Sequence, residues 1–214
     1  KGREDFRSKY NGIDAWDDVN NFELTMIDMV QKSKKKKNIQ VLGIDVKCGT
    51  PILELKNKLR EFTQFDTQLS AFTQDAKYWE DLKSICQGPV ICDRLDYFAQ
   101  YFQGRSFDYI LLGQPVNGYS NMQKLLSRSF DLLSDGGQCL LKLKNTSDLY
   151  KYLYITTEQR YASTEMPPMD VEIESLLKEL ADIGFKKWQV QMELYPVDGK
   201  MIEQLRDLLG HALK

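Results

Sequence analysis

A doubly wound, mostly parallel α/β sheet with helices on both faces and an N-terminal helix is the fold that this 214-residue sequence predicts. Two observations carry the prediction. Short apolar runs of strand length recur along the chain, and segments with helical spacing separate them, so each strand-to-strand connection is a crossover lying across a sheet. The runs are apolar in the manner of strands covered on both faces. The length suits one main core.

The elements follow in order. Residues 1–20 are polar and aromatic, an irregular lead-in. "NFELTMIDMVQKSKKKKN" places Phe22, Met26, Met29 and Val30 on one helical face, with Asn20 or Asn21 as cap and Lys32 and Lys34 to Lys37 at the carboxyl end, where positive charge complements the helix dipole. "IQVLGID" (39–45) is the first strand, and "PILELKNKLREF" (51–62) is a helix facing inward through Ile52, Leu55 and Leu59. "QLSAFT" (68–73), a helix over 75–86, "GPVICDRL" (88–95) and a helix over 97–102 come next. "FDYILLG" (107–113) reads as a buried strand, 120–134 as an amphipathic helix, "DGG" (135–137) as a turn and "QCLLKLKN" (138–145) as a strand. Residues 146–170, rich in Tyr, Thr and Pro, form a connection or cover. A helix from Asp170 to Gly184, a strand "KKWQVQMELYPV" and a helix beginning at "DGK" finish the chain. The organisation expected is a lead-in with helix (1–38), a Rossmann-like domain (39–194) and a C-terminal helix (195–214).

Composition excludes several classes. Basic residues number 29 and acidic residues 31, so no overall field selects nucleic acid, and the lysine run reads as a solvated helix end. No apolar stretch approaches the roughly 18 to 20 residues that span a bilayer, and no leader pattern opens the chain. A soluble cytoplasmic protein is expected. The chain starts on Lys1 rather than Met, as an excised part of a longer protein would. Cys48, Cys86, Cys92 and Cys139 form no Cys-x-x-Cys pair and there is a single histidine, so the expectation is free thiols in a reducing compartment and no metal.

In open parallel sheets, ligands settle outside the carboxyl ends of the strands, near the switch in strand order. The residues just past each apolar run are therefore the candidates. Past the first stand Asp45, Val46, Lys47, Cys48, Gly49, Thr50 and Pro51. Thr73, Gln74 and Asp75 follow the second, Asp93, Arg94 and Leu95 the third, and Gly113, Gln114 and Pro115 the fourth.

With those positions in view, the sequence resembles the class I S-adenosylmethionine-dependent methyltransferases from about residue 22 to 192. "VLGIDVKCGTP" is similar to that family's first motif, a strand ending in acid-x-Gly-x-Gly-x-Gly, with Asp45 at the acid, Gly49 at the middle glycine, and Lys47 and Pro51 replacing the other two. "VICDRLD" resembles the segment whose aspartate contacts adenine. "SFDYILLGQPVNGYSNMQKLLSRSFDLLSDGGQCLLKLKN" resembles the fourth strand, helix, Gly-Gly turn and fifth strand, and "IESLLKELADIGFKKWQVQM" the last helix, Gly-Phe turn and strand. The order and spacing are also similar to methyltransferase-like domains found beside glycosyltransferases in bacterial cell-surface polysaccharide systems.

The resemblance implies S-adenosylmethionine as cofactor. Asp45, Cys48 and Gly49 would lie around its amino-acid part, Thr73 and Asp75 near the ribose and Asp93 near adenine, with Lys47, Arg94 and Gly113 also among the cofactor-binding residues and Gln114 toward a saccharide or other small-molecule acceptor. It also exposes two departures. A side chain at Lys47, if the turn is left-handed, costs ~1 to 2 kcal/mol. Thr73 stands where the family carries a ribose-binding carboxylate, and a hydrogen bond to a charged group is worth ~1.5 to 3 kcal/mol, so its loss weakens binding about ten- to over a hundred-fold. Pro51 is tolerated at the start of a helix, where its missing N–H would have had no partner. No general base is evident among Gln114, Asn117, Tyr119 and Asn121, although alignment alone can drive methyl transfer. His211 reads as a surface or packing residue. Two functions stay open: a methyltransferase, or a catalytically inactive module that docks to a glycosyltransferase. A nicotinamide-dependent oxidoreductase would need a Gly-x-Gly-x-x-Gly turn that does not occur here.

Overall fold

A computed structural model describes residues 25–31, 38–62, 64–145 and 171–192 together with 199, 200, 203 and 206. Among these residues one sheet forms, all of its pairings parallel, in the order β3-β2-β1-β4-β5. The strands are β1 (Ile39–Ile44), β2 (Thr67–Thr73), β3 (Val90–Cys92), β4 (Phe107–Leu112) and β5 (Leu133–Leu140). The helices are α1 (Thr25–Asp28), α2 (Thr50–Phe62), α3 (Trp79–Ile85), α4 (Phe98–Tyr101), α5 (Met122–Leu132) and α6 (Ile173–Ile183). Single 3₁₀ turns at Ala76–Tyr78, Leu95–Tyr97 and Val116–Gly118 lead toward α3, α4 and α5.

The period-2 alternation of a strand sends successive side chains to opposite faces, and both faces are buried here. Val41, Leu69, Ala71, Tyr109 and Leu111 point to the layer containing Ile52, Leu55 and Leu59 of α2 and Leu82 of α3. Leu42, Ile44, Phe72, Ile110 and Leu112 point to the other layer, with Phe98 of α4, Leu125 and Leu126 of α5, and Leu176 and Leu180 of α6. The doubly wound expectation holds for this reason. At the amino edge of the sheet, the buried Asp108 binds β1 to β5: its carboxylate accepts from Gln40 N (2.9 Å) and from the Ser134 hydroxyl (2.9 Å).

Several boundaries differ from the sequence reading. The helix expected over 75–86 is a 3₁₀ turn followed by α3, because the Asp75 carboxylate accepts from Lys77 N and tightens the first turn. The expected helix over 97–102 is likewise divided between a 3₁₀ turn and α4. α5 ends at Leu132 rather than 134, since Leu133 already pairs with Phe107. The "DGG" turn and the strand expected over 138–145 are corrected together: pairing resumes at Gln138 opposite Tyr109 after a register shift, and β5 ends at Leu140. The shift accommodates 135–137 as an irregularity inside β5 instead of a turn before it. Residues 186–192 form no strand, contrary to the "KKWQVQM" expectation, and Trp188, Val190 and Met192 are exposed. Of the N-terminal helix, Thr25–Asp28 is helical, and Met26 and Val30 are buried as the periodicity requires. Asn20, the lysines at 34–37, the 146–170 connection, Asp170 and His211 lie outside the described residues. Gly184 closes α6 as expected, its N–H reaching Leu180 O and Ala181 O.

None of the four cysteines is in a disulfide. Burial pushes the thiols of Cys86 and Cys139 up to about 12, which keeps both protonated and unreactive near neutrality.

Candidate functional site

The strand order reverses between β1 and β4, and their carboxyl ends lie side by side. That is where an open α/β sheet leaves a crevice. The loop 45–49 leaves β1 through a tight path: Asp45 and Lys47 have φ of 52° and 51°, and Gly49 has φ of 100°. Asp45 N donates to Phe72 O (2.8 Å), Gly49 N to Val46 O (2.9 Å), and Leu53 N to Gly49 O (3.1 Å), so the loop feeds directly into α2. Pro51 sits at the second position of α2, as its fixed φ and missing N–H allow.

Lys47 is in the left-handed region that its place in the motif demanded. Relief of ~1 to 2 kcal/mol of left-handed strain exceeds the ~0.5 to 1 kcal/mol that glycine adds through unfolded-chain entropy. Lys47→Gly will therefore raise stability slightly, read as a higher urea midpoint with an unchanged slope.

Asp45 is 5% exposed, and both carboxylate oxygens are engaged by one residue from the end of β2. Gln74 N donates to Oδ1 (2.8 Å) and Gln74 Nε2 to Oδ2 (2.9 Å). Burial pushes the Asp45 carboxyl above the ordinary carboxylate range, and the two Gln74 donors oppose that rise only in part. The Tyr119 phenol stands beside it, 3% exposed, and is held well above its ordinary value first by burial and then by the Asp45 charge. Its hydroxyl makes no hydrogen bond of ordinary geometry.

The other candidates reach the same edge, and Thr73, Asp75, Asp93, Asn117 and Asn121 all hydrogen-bond to neighbours there. The Thr73 hydroxyl accepts from Asp75 N (3.1 Å) and donates to Asp75 O (3.2 Å), closing on its own turn. Asp75 spends its carboxylate on Lys77 N (2.9 Å). Asp93 accepts from Arg94 N (2.7 Å) through Oδ1 and from the Tyr101 hydroxyl through Oδ2. The Tyr101 hydroxyl, with the Arg94 amide second, holds the Asp93 carboxyl below its usual range. Asn117, buried, exchanges two hydrogen bonds with the Lys144 backbone (2.9 and 3.1 Å) and so ties the loop after β4 to the segment after β5. Asn121 caps α5 by accepting from Lys124 N (3.1 Å). Gln114 is exposed.

The two glycines at this edge face protein. A Cβ on Gly49 would lie 2.1 Å from Ile85 Cδ1 and 3.2 Å from Leu82 Cδ2, so the missing side chain makes room for α3. On Gly113 it would lie 2.3 Å from Asp45 O and 2.7 Å from Val46 Cα, so the missing side chain lets β4 approach the loop after β1. Gly113 N donates to Ile44 O (2.8 Å) across the same contact.

Between the loop after β3 and the start of α5 lies a cleft of about 200 Å³. Gln74, Arg94, Asp96, Lys124 and Arg128 supply its polar wall. Sequence reasoning placed Arg94 at this edge but missed Lys124 and Arg128. Their i, i+4 spacing, one helical turn after Ser120 and Asn121, is the signal that would have put both on one face. Gln74 was noted only as a residue past β2, because nothing in its spacing shows that it would close over Asp45. Among the described residues no cluster of His, Cys, Asp and Glu has the geometry of a metal site.

No protein-family profile and no curated protein sequence matches the chain. Solved structures do match in fold. The CurJ carbon methyltransferase superposes with a TM-score of 0.55 at 15% identity, covering 79% of this chain and 47% of that one. This chain thus spans about half the length of that protein. A SAM-dependent methyltransferase from Archaeoglobus fulgidus gives 0.53 at 15% identity over 96% of this chain and 90% of that one. CrArsM, an arsenic(III) S-adenosylmethionine methyltransferase from Chlamydomonas reinhardtii, gives 0.56 at 11% identity, covering 88% and 68% respectively. The parallel sheet in the order β3-β2-β1-β4-β5, covered on both faces and matched to these structures, gives the chain the fold of the class I S-adenosylmethionine-dependent methyltransferases.

Proposed function

We propose that this chain is a methyltransferase-fold module without catalysis, serving as a structural or docking partner of an enzyme. The observation that carries the reading is the closure of Asp45: Gln74 holds both oxygens of the carboxylate, from its backbone and from its side chain. The acid that should face a cofactor's amino-acid part is turned to the protein's own loop. Thr73, at the ribose position, adds no carboxylate, and its hydroxyl is closed on Asp75. Gly49 and Gly113, whose bare backbones would let a ligand approach, are filled against Ile85 and against the Asp45 loop. These residues do not fit S-adenosylmethionine in the family's ordinary way, so no methyl-transfer step is derived. The similarity of the sequence to modules beside glycosyltransferases makes such an enzyme, on the same chain or a separate one, the first partner to test. Residues 39–194 would be the module.

The second reading is methyl transfer to a saccharide or other small molecule, with Asp45, Cys48 and Gly49 near the amino-acid part of the cofactor, Asp93 near adenine and Gln114 toward the acceptor. It is favoured by the convergence of all these residues on one sheet edge and by the extent of the Archaeoglobus fulgidus match. Calorimetric titration with S-adenosylmethionine and with S-adenosylhomocysteine separates the two. The expected trace is flat to millimolar ligand. Saturable binding in the micromolar range would overturn the module reading.

A further inference from the structure

We propose that the cleft between the loop after β3 and α5 binds a compact phosphorylated ligand, a phosphate monoester of about the size of a sugar phosphate. This goes beyond the module reading and does not rest on it.

Charge is the first argument. Three cations, Arg94, Lys124 and Arg128, face one carboxylate, Asp96, across the cleft. Asp96 pairs with both Arg94 (3.6 Å) and Lys124 (3.2 Å), so these two cations share one carboxylate at the cleft. Arg128 reaches outward to Asp131 (3.4 Å), a half-exposed pair of the kind that holds a side chain only weakly. The residues that line the cleft therefore carry more positive than negative charge, with Asp93 beside Arg94 and Asp131 beside Arg128 at its margin. A cluster of Arg and Lys with nearby hydroxyl and amide groups, here Ser120 and Asn121, is the usual set for a phosphate.

Rigidity is the second. Lys124 and Arg128 lie on α5, whose opposite face is locked in the core by Leu125, Leu126 and Leu132 and whose first turn is fixed by the Asn121 cap. The packed helix fixes where the two side chains start, so binding has only the half-exposed ends of Lys124 and Arg128 to order.

Size and floor are the third. About 200 Å³ is below the roughly 300 to 1,000 Å³ of pockets for drug-sized ligands, and it admits a phosphate with one attached ring. Leu95, partly exposed above the buried Phe98 and Leu125, is the apolar side chain against which such a ring can rest.

The test uses the whole chain and a hexose 1-phosphate as probe, titrated by calorimetry and by amide chemical shifts, with inorganic phosphate and the unphosphorylated hexose in parallel. Saturable binding of the hexose phosphate is expected, with shifts centred on Arg94, Ser120 and Lys124, weaker binding of inorganic phosphate and none of the neutral sugar. Lys124→Gln with Arg128→Gln should weaken binding at least about ten-fold. Lys58→Gln with Lys83→Gln, which removes the same charge from α2 and α3, should leave it unchanged. Circular dichroism verifies that both double variants remain folded. Absence of saturation at 10 mM (a concentration about ten times a millimolar Kd), equal weakening by the two double variants, or shifts centred elsewhere would each overturn the proposal. The cofactor titration is a separate measurement, so a failure here leaves the module reading as it was.

Discussion

Alanine at position 113 will destabilise the protein by about 3 kcal/mol, the upper part of the range for a side chain forced into filled space. The added Cβ would sit 2.3 Å from Asp45 O, 2.7 Å from Val46 Cα and 2.8 Å from Asp45 C. All three obstacles are backbone. A flexible side chain can rotate away, but moving this loop breaks the Gly113 N to Ile44 O and Asp45 N to Phe72 O hydrogen bonds that hold β1, β2 and β4 together at their carboxyl ends. The measurement is the urea midpoint of Gly113→Ala against Gly118→Ala, where no atom lies within 4 Å of the new Cβ and little change is expected. Equal midpoints for the two variants would show that the β1 and β4 ends are not packed this closely.

Asp45→Ala will destabilise the protein by about 2 to 3 kcal/mol, whereas Asp45→Asn will cost less than about 1 kcal/mol. Alanine orphans the Gln74 N–H and carboxamide, and it places a residue with Cβ but no local hydrogen bond at φ of 52°. Asparagine tolerates that φ, keeps one acceptor for Gln74 N, and can donate to the Gln74 carboxamide once that group turns over. The pH dependence separates charge from geometry. Because burial raises the Asp45 carboxyl in the folded protein above its value of 3.8 in the open chain, the folded state binds the proton more tightly. Stability contributed by Asp45 is therefore present at low pH and falls as pH rises from about 3.8 through the raised folded value. Asp45→Asn should remove that fall, seen as a flatter urea midpoint across the same window. A wild-type protein that gains stability there relative to Asp45→Asn would contradict the burial-dominated shift.

Much of the fold was legible because it rests on local rules. The apolar runs at 39–45, 68–73 and 107–113 became β1, β2 and β4 almost to the residue, since a strand buried on both faces is apolar along most of its length. α2 was visible from Ile52, Leu55 and Leu59 and from the proline at its start. Legibility failed where pairing, not composition, sets the boundary. β5 begins at Leu133 because Phe107 is opposite it, and its Gly-Gly segment is absorbed by a register shift that no pattern of residues announces. Residues 186–192 alternate as a strand should, yet they form none, because alternation specifies a strand only when a neighbouring edge receives it.

By itself, the sequence determined which residues reach the carboxyl edge: Asp45, Lys47, Thr73, Asp93 and Gly113 each follow an apolar run, and strand direction alone carries them there. It also determined that Lys47 and Thr73 depart from the family's first motif and ribose position. Only the tertiary structure decided what those residues do on arrival. Gln74, 29 positions away, closes over Asp45, and Ile85 and the Asp45 loop fill the space beside Gly49 and Gly113. Lys124 and Arg128 line one cleft with Arg94. The physical reason is that hydrogen-bond partners and excluded volume are relations between segments distant in the chain, and hydrophobic periodicity records only whether a residue faces in or out.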